Sequence, residues 1–231
     1  MRCIRVFEVS CFLLCMAMTA SGQRVSGSSV VSLSGASGPA IESIEEIAKQ
    51  NRLPLGLVLG DQTLCKRSLD LRKVGQTARL DVLLQEIHRQ VPSYDARIEK
   101  GTLVIMPHEP GAGAADLLDL SIPYFRPVPA TMEGTGQILW TYVRARIKPR
   151  EGSLTDIMSN PDSPIISGLH VDSPTSVLDI LDLVVQQNQG GAWVVGSIPD
   201  DWRERVASNP ISITSYSSST SRLAGSVCAD N

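Results

Sequence analysis

The sequence predicts an α+β protein made of two small strand–helix–strand modules in tandem, and three observations carry that prediction. Two amphipathic helices share one apolar stripe: Leu80, Leu83, Leu84 and Ile87 recur as Val177, Ile180, Leu181 and Val184, each 97 residues later. Each stripe is flanked by strand-like apolar runs in the same order, as in a diverged duplication. Hydrophobic residues make up 42% and charged residues 19% of the 231, enough for a globular core, while aromatics at 4% leave that core to Leu, Ile, Val and Ala.

Taken in order, the chain opens with Arg2 and Arg5 before a short apolar run, Val9 to Ala20, and the small residues Ala20-Ser21-Gly22. Positive residues, a run too short for a comfortable membrane span and a small-residue exit predict an export signal over 1–22. A Ser/Gly-rich spacer is expected over 23–29. The first module, 30–108, begins with a short strand at Val30–Leu33 and a helix from Ala40 to Asn51, with Ile41, Ile44, Ile47 and Ala48 on one face. Glu42, Glu45 and Glu46 near its start and Lys49 near its end suit the helix dipole. LPLGLVLG reads as a buried strand, QTLCKR as loop or strand extension, and SLDLRKV as a half-buried strand. Thr77 is the expected N-cap of the striped helix, which Pro92 closes. YDARIEK and TLVIMP then pair across Gly101 as a hairpin, with Leu103 and Ile105 on one face.

A linker is expected over 109–115 and a second module over 116–198. Leu118, Leu120 and Ile122 alternate as a strand. Thr131 to Ile147 reads as a helix weakened at its start by Gly134 and Gly136. A polar loop, Pro149 to Pro164, leads to a strand within Ile165–Val171. Ser173 and Pro174 suit the start of the second striped helix, and AWVVGSI reads as its closing strand. The Ser/Thr-rich remainder, 199–231, reads as a disordered tail.

The segments SIEEIAKQNRLPLGLVL, ARLDVLLQEIHRQV and YDARIEKGTLVIMP, over roughly residues 41–107, resemble the short domain found at the N-termini of secretins and TonB-dependent receptors. Pro92-Ser93 departs from the glycine-containing turn common there, and the second module follows the pattern more loosely. The resemblance implies a packing and protein-interaction unit, without the barrel or pore of those proteins.

The net charge of −3 and the absence of a basic stripe exclude a surface that tracks nucleic-acid phosphates. His88, His108 and His170 show no metal-ligand spacing, no nucleophile elbow is present, and the glycine pairs at 111/113 and 134/136 lack a phosphate-binding context. No catalytic residue, cofactor or metal is therefore expected. Among the tryptophans, Trp193 reads as core, Trp202 either as an exposed candidate for partner contact or as packing of the tail onto the domain, and strand edges are the other candidate surface. Cys65 and Cys228 remain beyond the signal; a tail position for Cys228 favours two free thiols, with a disulfide as the alternative.

The leading expectation is an exported, non-enzymatic interaction module, periplasmic or extracellular, with an envelope protein as partner. Self-assembly into rings or filaments is the alternative. A hydrolase with its site in 149–172 is a third reading; it requires His170, Asp172 and Asp156 to share a pocket.

Overall fold

The computed structural model describes residues 26–60, 63–148, 164–187, 190–204, 209–216 and 228. The expected export signal, 1–22, and Asp156 lie outside these residues.

The first half runs β1 (Val30–Ser32), β2 (Gly38–Pro39), α1 (Ala40–Gln50), β3 (Leu55–Val58), α2 (Thr63–Lys66), β4 (Ser68–Leu69), β5 (Thr77–Arg79), α3 (Leu80–Gln90), β6 (Tyr94–Glu99) and β7 (Thr102–Pro107). The second runs α4 (Ala112–Asp119), β8 (Ser121–Ile122), β9 (Ala130–Thr131), α5 (Met132–Ile147), β10 (Ile165–Ile166), β11 (Thr175–Ser176), α6 (Val177–Val185), β12 (Gly191–Val195) and β13 (Ile211–Ser215). The fold is α+β.

The same small ladders occur in both halves. β1 pairs antiparallel with β5 and β2 with β4; β8 pairs antiparallel with β11 and β9 with β10. Each striped helix starts directly from the last strand of its set. The first N–H of a helix lacks an internal acceptor, and both halves supply one in the same way: Leu80 N–H donates to the Ser29 carbonyl at 2.8 Å, and Val177 N–H to the Leu120 carbonyl at 3.0 Å. The Gly27 carbonyl takes Asp81 N–H at 2.8 Å, so the described end of the expected spacer is bound to α3.

The halves meet in one five-stranded sheet, ordered β13-β12-β3-β7-β6. β3 runs parallel to both β12 and β7, while β6 and β13 lie antiparallel at the two edges. Side chains alternate across a strand, and each face has its own core. Leu55, Leu57, Leu103, Ile105, Ala192 and Val194 join α1 and α3 on one face. Val58, Val104, Met106, Trp193, Val195 and Ile213 join α4, α5 and α6 on the other. The central strands are covered on both sides, which explains their continuous apolar runs.

At Gly56 the two halves are in close contact. Gly56 pairs with Trp193, and a Cβ on it would collide with the indole ring. Gly136 plays a related part on α5: a Cβ there would come within 2.9 Å of Ile213, so the residue read from sequence as a weak helix start instead lets α5 approach β13.

Several local expectations are corrected. The expected linker 109–115 contains the start of α4, and Leu118–Ile122 is mostly that helix and a short β8. Ala114, Leu117 and Leu118 lie at helical spacing and are buried, which outweighs the strand-like alternation. QTLCKR holds the single turn α2, and only Ser68–Leu69 of the expected strand SLDLRKV is a strand. Thr77 belongs to β5 and does not cap α3; the carbonyls of Ser29 and Gly27 satisfy that helix start. Ser176, not Ser173, caps α6, accepting from Asp179 N–H at 3.1 Å.

The tail is the largest correction. Within 199–231, Ile211–Ser215 forms β13, whose Ile211 and Ile213 enter the core. Its alternating β-branched residues suit a strand despite the Ser-rich composition around them. Tyr216 Oη donates to the Leu53 carbonyl at 2.8 Å. Cys228 forms a disulfide with Cys65 across 163 residues of sequence, replacing the two free thiols expected.

Candidate functional site

Sheet edges were one expected interaction surface, and the two edges here differ. In the β6–β7 hairpin, His108 N–H donates to the Ser93 carbonyl at 3.0 Å, and the register continues through Asp95↔Met106, Arg97↔Val104 and Glu99↔Thr102. Alternation of bonded pairs then turns the N–H and C=O groups of Asp95, Arg97 and Glu99 toward β7. Those of Tyr94, Ala96 and Ile98 turn outward. Pro107, which has no N–H to donate, stands opposite Tyr94 where none is needed. The hairpin is closed by Lys100 and Gly101 with φ of 48° and 93°, the two positive values of a type I′ turn.

Of the outward groups on β6, the Tyr94 carbonyl is met by His88 Nδ1 at 3.2 Å. Among the described residues nothing pairs with those of Ala96 and Ile98. Their side chains pack against the α1/α3 core, while Asp95, Arg97 and Glu99 line the opposite side. Arg97 and Glu99 form an ion pair at 2.9 Å.

Three residues that the sequence keeps apart meet at the start of this edge. His88 comes from the last turn of α3, Asp95 from β6 and His108 from just beyond β7. One potential ligand atom from each lies within 4.8 Å of the other two. His108 Nδ1 is 2.9 Å from Asp95 Oδ2, and the two imidazoles meet edge to face with centroids 5.4 Å apart. Both histidines are exposed and Asp95 is half-buried. Spacing along the sequence hides this cluster. The hairpin register does signal part of it, because pairing Ser93 with His108 sets Asp95 and His108 side by side.

A buried polar group lies on the other face. Asp182 of α6 is 2% exposed and accepts from Trp193 Nε1 at 2.9 Å. Burial pushes its carboxyl up to about 6; the Trp193 donation opposes that, and the charge of Glu99 adds to it. Around it, Gln186 Nε2 donates to the Lys100 carbonyl and to Thr102 Oγ1, both at 3.1 Å, and Lys100 pairs with Asp179. This network ties the first-half hairpin to the second-half helix. In the sequence Asp182 reads as an ordinary polar position between Leu181 and Leu183, so its burial has no local signal.

The remaining candidates separate. His170 Nδ1 contacts the Gly168 carbonyl at 2.9 Å, while Asp172 pairs with Arg126 at 2.7 Å, so the two have different partners. Trp193 is fully buried, as its strand position implied. Of the two readings of Trp202, packing holds: it is 4% exposed, with Nε1 donating to Asp116 Oδ2 at 3.1 Å and its ring beside Trp140. Arg203 grips the same carboxylate with two bonds of 2.5 Å, holding Asp116 below the usual carboxylate range. An open depression outside α3, lined by Lys73, Val74, Val82, Gln85, Glu86 and Arg89, has mixed charge. Among the described residues no helix is long and apolar enough to cross a membrane.

No protein-family model, curated protein or solved structure matches the chain.

Proposed function

We propose that the chain is an exported, non-enzymatic protein-interaction module of the cell envelope, built as a tandem duplication of units of the secretin and TonB-receptor short-domain type, and that it receives a partner's strand along β6. The observation that carries this reading is the edge of β6, where Ala96 and Ile98 present backbone groups that pair with nothing among the described residues, at the margin of a five-stranded sheet. An added strand gains affinity from such groups and specificity from the side chains beside them. The ladders repeated in the two halves support the tandem reading.

A photo-crosslinking residue in place of the exposed Arg97, introduced in the producing cell, tests the proposal. The same envelope protein is expected in repeated captures. Ala96→Pro, which removes an outward N–H and spares the bonds to β7, abolishes the capture. Repeated absence of a partner, or capture indifferent to Ala96→Pro, contradicts the proposal. Crosslinking of the chain to itself favours ring or filament assembly instead, and a strict monomer in light scattering at high concentration excludes that alternative.

A further inference from the structure

We propose that His88, Asp95 and His108 form a binding site for a divalent transition-metal ion of the zinc class. Two imidazoles and a carboxylate are the donor set such ions favour, whereas magnesium and calcium prefer all-oxygen surroundings. The three donor atoms already lie within 4.8 Å of one another. A zinc ion with ligands at about 2.0–2.1 Å needs them roughly 3.3 Å apart in tetrahedral geometry. The remaining closure falls to side chains, and both histidines are exposed.

The backbone fixes the three origins. His88 ends a helix whose stripe, Leu80, Leu83 and Ile87, is buried. Asp95 is within the hairpin ladder, and the His108 N–H is bonded to the Ser93 carbonyl.

The hydrogen bonds around the histidines point the same way. A proton on His88 Nδ1, donated to the Tyr94 carbonyl at 3.2 Å, leaves Nε2 as the basic nitrogen. Metal-binding histidines are commonly oriented by such a carbonyl on the second nitrogen. His108 Nδ1 and Asp95 Oδ2, 2.9 Å apart, share a proton that a metal ion replaces, releasing it to solvent. Three protein ligands leave at least one coordination position for water or for a group from outside the chain. The site does not depend on the proposed interaction with a partner.

Titration of the purified, tag-free chain with Zn²⁺ by calorimetry, and with Co²⁺ by its visible absorption, is the test. One saturable site per chain is expected. His88→Gln, His108→Gln and Asp95→Asn each weaken it at least tenfold, while His170→Gln leaves it unchanged. Binding weakens toward acid pH, because protons compete with the metal ion for the ligand atoms. In the unsubstituted chain, Zn²⁺ shifts the imidazole nitrogen resonances of His88 and His108 and leaves those of His170 in place, a readout that does not depend on how any variant folds. No saturable binding up to millimolar Zn²⁺, binding that survives both histidine substitutions, or shifts that spare His88 and His108 overturns the proposal.

Discussion

The two edges of the central sheet come from opposite halves of the chain and are finished differently. β13, from the second half, is covered: four of its five residues are buried, and α5 lies close against it through Gly136. Ser215 N–H reaches Glu133 Oε1 at 3.4 Å, and the Ile211 N–H is taken by Asn209 Oδ1 at 2.9 Å. Among the described residues β6, from the first half, is held by one neighbouring strand and one tight turn, with Ala96 and Ile98 open. An exposed edge invites pairing with another chain, so proteins usually cover or charge it. Here one edge is covered, and the other carries Asp95, Arg97 and Glu99 on one face but leaves its backbone available. The contrast makes β6 the edge whose backbone is open to a further strand among the described residues.

The strongest way to break this contrast is to release the covered side. The disulfide joins Cys65 in the first half to Cys228 beyond β13 across 163 residues. A loop of that length is worth at most about 5 kcal/mol through chain entropy. Cys65→Ser with Cys228→Ser is expected to lower urea stability by a large part of that figure and to make the protein indifferent to reductant. An unchanged unfolding midpoint contradicts the closure.

Next comes the seam between halves. Gly56→Ala places a methyl group in the Trp193 ring. A cost of about 3 kcal/mol is expected from overpacking in a buried strand. A neutral effect in the same urea series means that the halves do not share this sheet.

Asp182 sharpens the seam through pH. Its folded-state pKa, about 6, lies above the ordinary aspartate value of 3.8, so the folded protein binds the proton more tightly. Its favourable contribution is complete below pH 3.8 and is lost as pH rises through 6. The loss amounts to at most about 3 kcal/mol. Asp182→Asn, which keeps an acceptor for Trp193 Nε1, is expected to be more stable than the parent above pH 7, with the difference shrinking toward pH 4. Asp70 and Glu86 are held down at about 2 by Arg72 and Arg89, the opposite sign, but are common to both proteins and cancel in the difference. A difference that does not change between pH 4 and 7 refutes the assignment.

The smallest effect concerns β6 itself. Ala96→Pro is expected to cost no more than about 1 kcal/mol, whereas Arg97→Pro, whose N–H faces β7, costs about 3 kcal/mol. Equal costs in thermal unfolding rule out the outward orientation of Ala96.

What was legible in the sequence follows from where the physics is local. The stripes of α3 and α6 were readable because burial repeats every turn, and the β6–β7 hairpin because Lys100-Gly101 connects two patterned runs directly. β13 has no local signal because the connection from β12 is long and passes through the Trp202 turn, so nothing nearby marks Ile211–Ser215 as a partner. The pairing of Cys228 with Cys65 is hidden in the same way, by 163 residues of separation. The histidines failed as a spacing pattern because helix, strand and strand end bring them together, and only the register reveals it. The shared sheet rests on the pairing of Gly56 with Trp193, 137 residues apart, which no periodicity records.

Amide hydrogen exchange along β6, measured residue by residue in the free protein, tests the open edge most directly. Protection is expected to alternate, with Arg97 and Glu99 slow and Ala96 and Ile98 fast. Ala96 and Ile98 as slow as Arg97 would mean that this edge is already covered, and β6 would then not be the surface that receives a partner.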